Sequence, residues 1–204
     1  MVNEILLIFV KNPVKGTVKT RLAKTIGDEG ALKIYEALLR RTRAVANEIE
    51  NIDKAIFYSD IIEDDDLFDK HDYQKFAQTG NDLGERMYDA FKQSFSNRYF
   101  RVVLIGSDCY TITPEIIQQA FRALREKDVV IGPAEDGGYY LIGMRRLIPK
   151  FFRDKAWSTS DVFLDTLLDV KEEGYSYEIL PTLSDIDREE DLPKELRKLL
   201  DEDS

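Results

Sequence analysis

The feature that most constrains the fold is a run of six consecutive apolar residues near the start of the chain, at positions 5–10. Six residues are too few for a helix of ordinary length, and a loop that contains Pro13 ends the run. Such a run is typical of a strand buried on both faces of a parallel sheet, which needs helices on either side. The sequence therefore predicts an α/β fold that begins with this strand.

The loop after this strand has an unusual charge. Five of the fourteen residues at positions 11–24 are Lys or Arg and none is acidic, whereas the whole chain has a net charge of -10. An acidic protein that gathers cations at the end of a buried strand is expected to bind an anion there. Gly16 would let the backbone approach such a ligand, and Lys19 and Arg21 would donate hydrogen bonds to phosphate oxygens. A solvated basic turn that opens a short amphipathic helix is the alternative that these residues leave open.

The composition limits the kinds of partner that the protein is expected to bind. The chain has 204 residues, 43% of them hydrophobic, and residues 1–204 are predicted to form a single domain. The 39 acidic residues outnumber the 29 basic ones, so nucleic acid is not expected as the main partner. Cys109 is the only cysteine, and no apolar run reaches the roughly 18 residues of a membrane span. We therefore expect a cytoplasmic protein without disulfides or a membrane span, and the sequence leaves a homodimer open.

Further apolar patterns alternate between strand and helix periods. Strands are predicted at residues 54–58, 101–106, 129–133, 139–144 and 177–180. Helices are predicted over residues 28–49, over about 83–95 with Leu83, Met87, Ala90 and Phe91 on the buried side, from Pro114 with Thr113 as its N-cap, after Asp161, and after Pro193. This order favours a mostly parallel sheet with helices on both faces.

Carboxylates follow two of the predicted strands. Asp108 comes just after the strand at 101–106, at the edge where open α/β sheets bind ligands, and is the first candidate metal ligand. An Asp that caps the following turn is the alternative that this residue leaves open. Asp185 and Asp187 would face the same way if residues 185–187 are extended.

Two glycine-containing loops are further candidates. Gly80 and Gly84 near the start of a helix would leave backbone N–H groups accessible to an anion or a base edge, with Arg86 projecting from the first turns. A loop with an Asn or Asp cap explains the same residues. The loop at 134–138 is a hairpin signal in its own right, because Asp136 and Gly137 stand between apolar runs.

The beginning of the helix after Asp161 also carries polar residues. Ser158 and Asp161 resemble a capping box, which would explain them without a ligand. Trp157, just before them, could form a wall of a pocket.

Six motifs in order resemble the DUF2064 family, glycosyltransferase-like proteins often called family A or arsenosugar-biosynthesis glycosyltransferases. The motifs are KNP, Gly16 and KTRL within residues 11–22; Gln78, Gly80, LG and RM within 78–87; GSDC at 106–109; GPA and DGGYY within 132–140; WST at 157–159; and DID at 185–187. The resemblance covers residues 11–192. The family belongs to the nucleotide-diphospho-sugar transferase (GT-A) superfamily, which also contains molybdenum-cofactor and phospholactate guanylyltransferases.

The resemblance implies a GT-A, Rossmann-like fold and assigns roles to residues. Nucleotide binding would fall to the first loop and the second motif, with Lys11, Asn12, Gly16, Lys19, Arg21, Gly80 and Arg86. Asp108 would bind Mg²⁺ or Mn²⁺ together with Asp185 or Asp187, since hard cations take oxygen ligands. The catalytic carboxylates would be Asp108, Asp136 and Asp187, and the acceptor would lie at Gly137, Gly138, Tyr139 and Trp157. Tyr110 and Arg188 depart from the family pattern, which often has Pro and Thr there.

Three functions remain open at this point. Glycosyl transfer from a nucleotide sugar to a small-molecule acceptor is the first function that the resemblance implies. Nucleotidyl transfer from an NTP to a phosphorylated small molecule is the alternative, because it would make fuller use of the dense basic loop. A nucleotide-binding module without turnover would need the basic loop but not both Asp108 and Asp187. The fold alone does not decide among them.

Overall fold

The structure is a computed structural model that describes residues 3–157 and 159–201. Its described residues form one seven-stranded sheet in the order β3-β2-β1-β4-β6-β5-β7. The strands are β1 (Glu4–Val10), β2 (Asp53–Tyr58), β3 (Gln74–Ala77), β4 (Arg101–Ile105), β5 (Val129–Pro133), β6 (Tyr139–Met144) and β7 (Tyr177–Ile179). The helices are α1 (Ala23–Asn47), α2 (Leu83–Ser96), α3 (Pro114–Ala123), α4 (Val162–Glu172) and α5 (Lys194–Asp201). None of them is long and apolar enough to cross a membrane.

The strand order locates the edge at which a ligand would bind. All neighbouring strands are parallel except β6, which runs antiparallel to both β4 and β5. From β1 the chain adds β2 and β3 on one side and then returns to place β4 on the other. Open α/β sheets bind ligands at the carboxyl ends of the strands where the order reverses in this way. Here that position is the boundary between β1 and β4.

The pleat of β1 divides the core into two layers, as predicted for a strand buried on both faces. Leu6, Ile8 and Val10 pack on one face with residues of α1 and α3, such as Tyr35 and Phe121. The alternate residues Ile5, Leu7 and Phe9 pack on the other face with residues of α2 and α4. Helices therefore cover both faces, and the predicted fold class is confirmed.

Three local predictions need correction. A turn of helix begins at Ala23, and Gly27, with φ of +77°, kinks it, so the predicted helix from residue 28 is the second part of α1. Leu83 was expected to be buried but is 43% exposed, because Gly84 is the residue of α2 that faces inward, against Trp157. Strand β3 has no counterpart among the predictions, since an edge strand of mixed polarity carries no buried apolar run.

The remaining elements lie close to where they were expected. Thr113 caps α3 by accepting a hydrogen bond from the backbone N–H of Ile116 at 3.5 Å. Strands β5 and β6 form the predicted hairpin. The predicted capping box of α4 includes Ser158, which lies outside the described residues, and Asp161 makes no capping hydrogen bond.

Helix α5 packs against α1 in a third apolar cluster. Its buried members are Leu22, Ile34, Leu38, Ile186, Leu192 and Leu196. Ile186 stands between Asp185 and Asp187, so this cluster anchors the segment that carries these two carboxylates.

Candidate functional site

The candidate site lies at the carboxyl edge of the sheet, around the boundary between β1 and β4. The loop after β1 and the loop after β4 begin there, and the segment at 185–187 joins them because the Ile186 N–H donates to the Asp108 carbonyl at 3.0 Å. The hairpin loop at 134–138 is tied to the same segment by a bridge between Ala134 and Leu183. Residues far apart in the sequence thus meet at one edge.

Two cations of the first loop meet the carboxylates directly. Lys19 Nζ lies 3.0 Å from Asp108 Oδ1 and donates to the Ile186 carbonyl at 2.5 Å. Arg21 Nη1 donates to Asp187 Oδ2 at 2.6 Å. The structure therefore brings together the basic loop, Asp108 and the segment at 185–187, as the motif resemblance implied.

The burial of Lys19 was not foreseen. Its side chain is only 5% exposed, although it stands in a loop in which the sequence predicted cations accessible to an anion. Arg21, two residues later, has 60% of its side chain exposed. Of these two candidate phosphate ligands, only Arg21 is open to solvent.

Negative charge is in excess around Asp185. Burial, the largest cause, and the nearby carboxylates of Asp108, Asp136 and Asp187 together raise the pKa of this carboxyl to about 7, against the opposing effect of Lys19. The two cations Lys19 and Arg21 do not balance these four carboxylates. The site would gain stability from an additional cation.

The donor chemistry suits a hard divalent ion. The candidate ligands Asp108, Asp185 and Asp187 offer only oxygen atoms, the type that Mg²⁺ and Mn²⁺ prefer. Within residues 3–157 and 159–201, however, no three His, Cys, Asp or Glu side chains lie close enough to hold an ion by themselves. Mg²⁺ is commonly bound by one or two carboxylates and completed by substrate phosphates, so the arrangement fits an ion that arrives with a phosphate ligand.

Asn12 has a structural environment. Its buried side chain accepts hydrogen bonds from the backbone N–H groups of Asp60 and Ile61 at 3.1 and 3.3 Å. Its amide donates to the Ile61 carbonyl at 2.9 Å and to Glu63 Oε1 at 3.2 Å. Because both ends of the amide are occupied, Asn12 joins the loops after β1 and β2 in this structure.

Tyr35 is a residue of the site that sequence reasoning missed. Its hydroxyl accepts a hydrogen bond from the Lys11 N–H at 2.7 Å and lies 3.2 Å from Ser107 Oγ. Burial, with the Asp108 carboxylate as a smaller cause, raises the pKa of this phenol. Tyr35 therefore links the first residue after β1 to the loop that carries Asp108. Nothing in the apolar period of the predicted helix distinguished this residue or its hydroxyl.

The remaining part of the first loop is also held by local contacts. Gly16 has φ of +82°, which favours glycine, and Lys15 Nζ pairs with Glu29 Oε1 at 3.3 Å. Both side chains of that pair are largely exposed. An anion could displace this contact at small cost.

The second motif forms the start of α2. Asp82 caps the helix by accepting from the Glu85 N–H at 2.8 Å, as one of the open interpretations stated. Arg86 Nε donates to the Gly80 carbonyl at 3.1 Å, so part of its guanidinium closes the loop. A Cβ atom at Gly80 would lie 2.8 Å from the backbone nitrogen of Arg86, so close packing explains why a glycine occupies this position.

The predicted acceptor side is built by close backbone packing. Gly137 has φ of +89°, and a Cβ atom there would lie 2.0 Å from the Ser160 carbonyl oxygen. The Gly138 N–H donates to Asp136 Oδ1 at 2.9 Å, which leaves the other carboxylate oxygen of Asp136 available. Trp157 packs on Gly84 and so links this side to α2.

The Tyr139 hydroxyl and the Cys109 thiol both lie in environments that disfavour their ionisation. The Tyr139 hydroxyl donates to Met87 Sδ at 3.9 Å, and burial raises the pKa of this phenol. Burial, followed by the Asp185 charge, raises the pKa of the Cys109 thiol to about 11. A thiol with so high a pKa is a poor nucleophile at neutral pH.

Tyr110 and Arg188, the two residues that depart from the family pattern, both make contacts that fix the backbone near the site. Tyr110 packs against the apolar cluster between α1 and α5, and its carbonyl accepts from Arg41 Nε at 3.4 Å. The Arg188 N–H donates to Asp191 Oδ2 at 2.7 Å, and its side chain is exposed. Asp191 also accepts from the Asp187 N–H at 3.0 Å and so fixes the backbone beside that carboxylate.

A separate hollow lies away from these residues, between α4 and the 3₁₀ helix Pro149–Phe152. Its charged side chains pair with one another, as in the contact of 2.6 Å between Lys155 Nζ and Asp169 Oδ2. It contains none of the motif residues.

Comparison with known proteins identifies the family. Residues 42–159 match the model of DUF2064, a family of uncharacterized proteins conserved in bacteria. The chain belongs to this family. Among the curated proteins no match is found.

Solved structures extend the comparison to the fold. A protein from Desulfovibrio desulfuricans G20, provisionally assigned as a nucleotide-diphospho-sugar transferase, is 35% identical, with a TM-score of 0.83 over 92% of this chain and 84% of that one. The inositol-1-phosphate CTP transferase from T. maritima is 11% identical, with a TM-score of 0.55 over 98% and 96% of the two chains. The 4-diphosphocytidyl-2C-methyl-D-erythritol synthase from Anaerococcus prevotii DSM 20548 is 10% identical, with a TM-score of 0.59 over 98% and 95%. The two distant structures show the shared fold alone, and the DUF2064 resemblance is confirmed.

Proposed function

We propose that this protein is a transferase that uses a nucleotide-activated donor, and that the donor is a nucleotide sugar from which a glycosyl group passes to a small-molecule acceptor. The observation that carries the proposal is the meeting of the basic loop with Asp108 and the 185–187 segment at the boundary of β1 and β4. The assignment of the 35% identical relative to the nucleotide-diphospho-sugar transferases supports the choice of donor.

The residues of the site suit a diphosphate leaving group. Arg21, with its exposed fork of N–H donors, would bind diphosphate oxygens after leaving Asp187. Negative charge that develops on the leaving diphosphate would then be stabilised by a donor already in place, which is how preorganised sites lower barriers. Asp136, held by its bond to the Gly138 N–H, would orient the acceptor with its remaining carboxylate oxygen.

Asp108 and Asp187, with Asp185 beside them, would hold Mg²⁺ or Mn²⁺ together with the donor phosphates. When bound, such an ion supplies positive charge that stabilises the departing diphosphate. The chain's own contribution is the placement of the carboxylates, which Lys19, Asp191 and the Ile186 anchor fix.

The experiment that tests the proposal measures which products the protein releases. The purified protein is given Mn²⁺ and a panel of nucleotide sugars, and we expect slow release of nucleoside diphosphate even by hydrolysis. Asp108→Asn should abolish this release and also the Mn²⁺-dependent rise in melting temperature with the donor. Asp65→Asn, in the exposed acidic segment, is the matched control that should change neither.

The same experiment separates the two chemistries. In nucleotidyl transfer the α-phosphorus reacts and pyrophosphate leaves, whereas in glycosyl transfer a sugar carbon reacts and nucleoside diphosphate leaves. Pyrophosphate released from an NTP only when a phosphorylated acceptor is present, and only with Asp108 intact, would replace the glycosyl proposal by nucleotidyl transfer. Nucleotide binding that is identical with and without metal, and without turnover, would favour a binding module.

A further inference from the structure

Lys19 differs from the other cations of the first loop in its exposure. Its side chain is 5% exposed, against 60% for Arg21 and 55% for Lys15. An anion that enters from solvent therefore reaches Arg21 and Lys15 by displacing only their exposed ion pairs with Asp187 and Glu29. To reach the buried Lys19 ammonium it would have to displace the contacts with the Ile186 carbonyl and with Asp108, whose own side chain is 48% exposed.

The ammonium of Lys19 joins two loops that are distant in the sequence. One of its contacts is Asp108 Oδ1, in the loop after β4, and the other is the carbonyl of Ile186. The Ile186 N–H in turn donates to the Asp108 carbonyl at 3.0 Å. Lys19, Asp108 and Ile186 thus form a closed set of contacts, and the carboxylates on both sides of Ile186 are placed by it.

The backbone at Lys19 is fixed as well. Its φ of +49° is unusual for a residue with a side chain, and its neighbour Val18 is buried in the core. The Lys19 carbonyl accepts from the Ala23 N–H at 2.9 Å, at the start of α1. The side chain therefore extends from a backbone held by its own hydrogen bond, and its ammonium is held by Asp108 and the Ile186 carbonyl.

We propose that Lys19 is a positioning residue, which holds the loop of Asp108 and the segment of Asp185 and Asp187 in fixed relation, and that Arg21 rather than Lys19 binds the donor diphosphate. The inference rests on the proposed function only for the identity of the anion. The motif KTRL accordingly contains one internal cation and one ligand-binding cation.

The first test uses the whole wild-type protein without added metal, with inorganic pyrophosphate as the probe. The ¹H–¹⁵N signals of the Lys19 ammonium and the Arg21 Nε–H are followed during the titration, and Lys19→Arg and Arg21→Lys assign them. The Arg21 signal is expected to move until saturation while the Lys19 signal stays in place. A Lys19 signal that moves as far as that of Arg21 would overturn the proposal.

The second test compares Lys19→Met with Arg21→Met, two substitutions that each remove one positive charge. Loss of a charge-assisted hydrogen bond should make R21M bind pyrophosphate about tenfold more weakly, while K19M changes the affinity by about threefold or less. A tenfold loss in folded K19M would show that Lys19 is a phosphate ligand. If K19M does not fold, the wild-type titration decides.

The third test measures the link between the loops. Hydrogen exchange at the Ile186 amide should rise about tenfold or more in K19M, should stay unchanged in R21M, and should return towards the wild-type rate in Lys19→Arg, which keeps the charge. Unchanged exchange in K19M would refute the positioning role. If pyrophosphate binds the wild-type protein neither without nor with Mn²⁺, the proposed function fails, while the exchange rates still decide the role of Lys19.

Discussion

The two flanks of the site are fixed in different ways. On the flank of β1 and β2, side-chain amides bond backbone groups: the buried Asn12 holds residues 60 and 61, and the half-buried Gln78 donates from Nε2 to the carbonyls of Val10 and Phe57 in these strands. On the flank of the 134–138 loop and α4, glycines allow the backbone itself to make contact, as Gly137 does with Ser160. The first flank depends on polar groups, and the second depends on the absence of side chains.

This difference predicts how each flank responds to substitution. Where several hydrogen bonds hold a flank, substitutions can remove them one at a time, so the loss of stability increases in small steps. A flank in which the backbone leaves no room for a methyl group has to move apart as soon as one is added. The following substitutions test this comparison, beginning with the largest effect.

Gly137→Ala should have the largest effect. The added Cβ would lie 2.0 Å from the Ser160 carbonyl oxygen in a residue with φ of +89°. We expect the free energy of unfolding to fall by about 4 kcal/mol, from strain and overpacking together, as measured by urea denaturation. Gly174→Ala is the matched control, because Gly174 also has a positive φ of +72° but no atom within 4 Å of the added Cβ. Its cost should be about 1 kcal/mol, and equal costs at the two glycines would contradict the contact argument.

Asn12→Ala tests the amide-held flank. It leaves the buried N–H groups of Asp60 and Ile61 without their acceptor, and we expect a loss of about 3 kcal/mol in urea denaturation. Asn81→Ala removes an exposed amide that donates to Glu85, and should cost under about 1 kcal/mol. A similar loss in both variants would mean that Asn12 contributes no more than a surface residue.

Asp185→Asn tests the charge at the junction of the flanks. The raised pKa of Asp185, about 7, means that the folded protein binds more protons than the unfolded chain between roughly pH 4 and pH 7. The contribution of Asp185 to stability is therefore present at low pH and is lost as the pH rises through that window. Relative to wild type, the variant should gain up to about 1.4 kcal/mol for each pH unit within this window, measured in urea with EDTA present. Parallel stability curves for the two proteins would exclude this explanation.

Arg21→Met should have the smallest effect on stability. The pair that Arg21 forms with Asp187 is exposed on both sides, and such pairs are worth about 0–1 kcal/mol. A double-mutant cycle with Asp187→Asn at 0.15 M salt should give a coupling energy under about 1 kcal/mol. A larger coupling would show that this pair, and not only the buried contacts, holds the first flank together.

The sequence predicted those parts of the fold that repeat a pattern. Runs of buried residues marked β1, β4 and β5, and Thr113 with Pro114 marked the start of α3, because burial on both faces and helix capping each restrict residue types. The edge strand β3 was not predicted, because its residues are exposed or only partly buried and so form no apolar run. Leu83 was misplaced because the helical period does not show that the neighbouring glycine has to face Trp157.

For the site, the motif order predicted which loops would meet but not what each side chain does there. Lys19 and Arg21 are two cations in one motif, and their exposures of 5% and 60% depend on the loops that fold over them. The oxygen and the nitrogen of the Asn12 amide both form hydrogen bonds with residues 59–63. These residues have no recognisable sequence pattern. Burial of a polar side chain is a property of tertiary contacts, so a local pattern cannot report it.

The contact between Lys19 and Ile186 spans 167 residues of sequence, which has a consequence for the timing of assembly. During synthesis the chain can complete β1 through β6 long before residue 186 has been made, because domains fold as their segments emerge. Throughout that interval Lys19 lacks the carbonyl of Ile186, and the carboxylates of Asp185 and Asp187 do not yet exist. Most of the sheet can thus form earlier than the site, and a nascent chain acquires its complete charged centre only when the segment around Ile186 docks against α1.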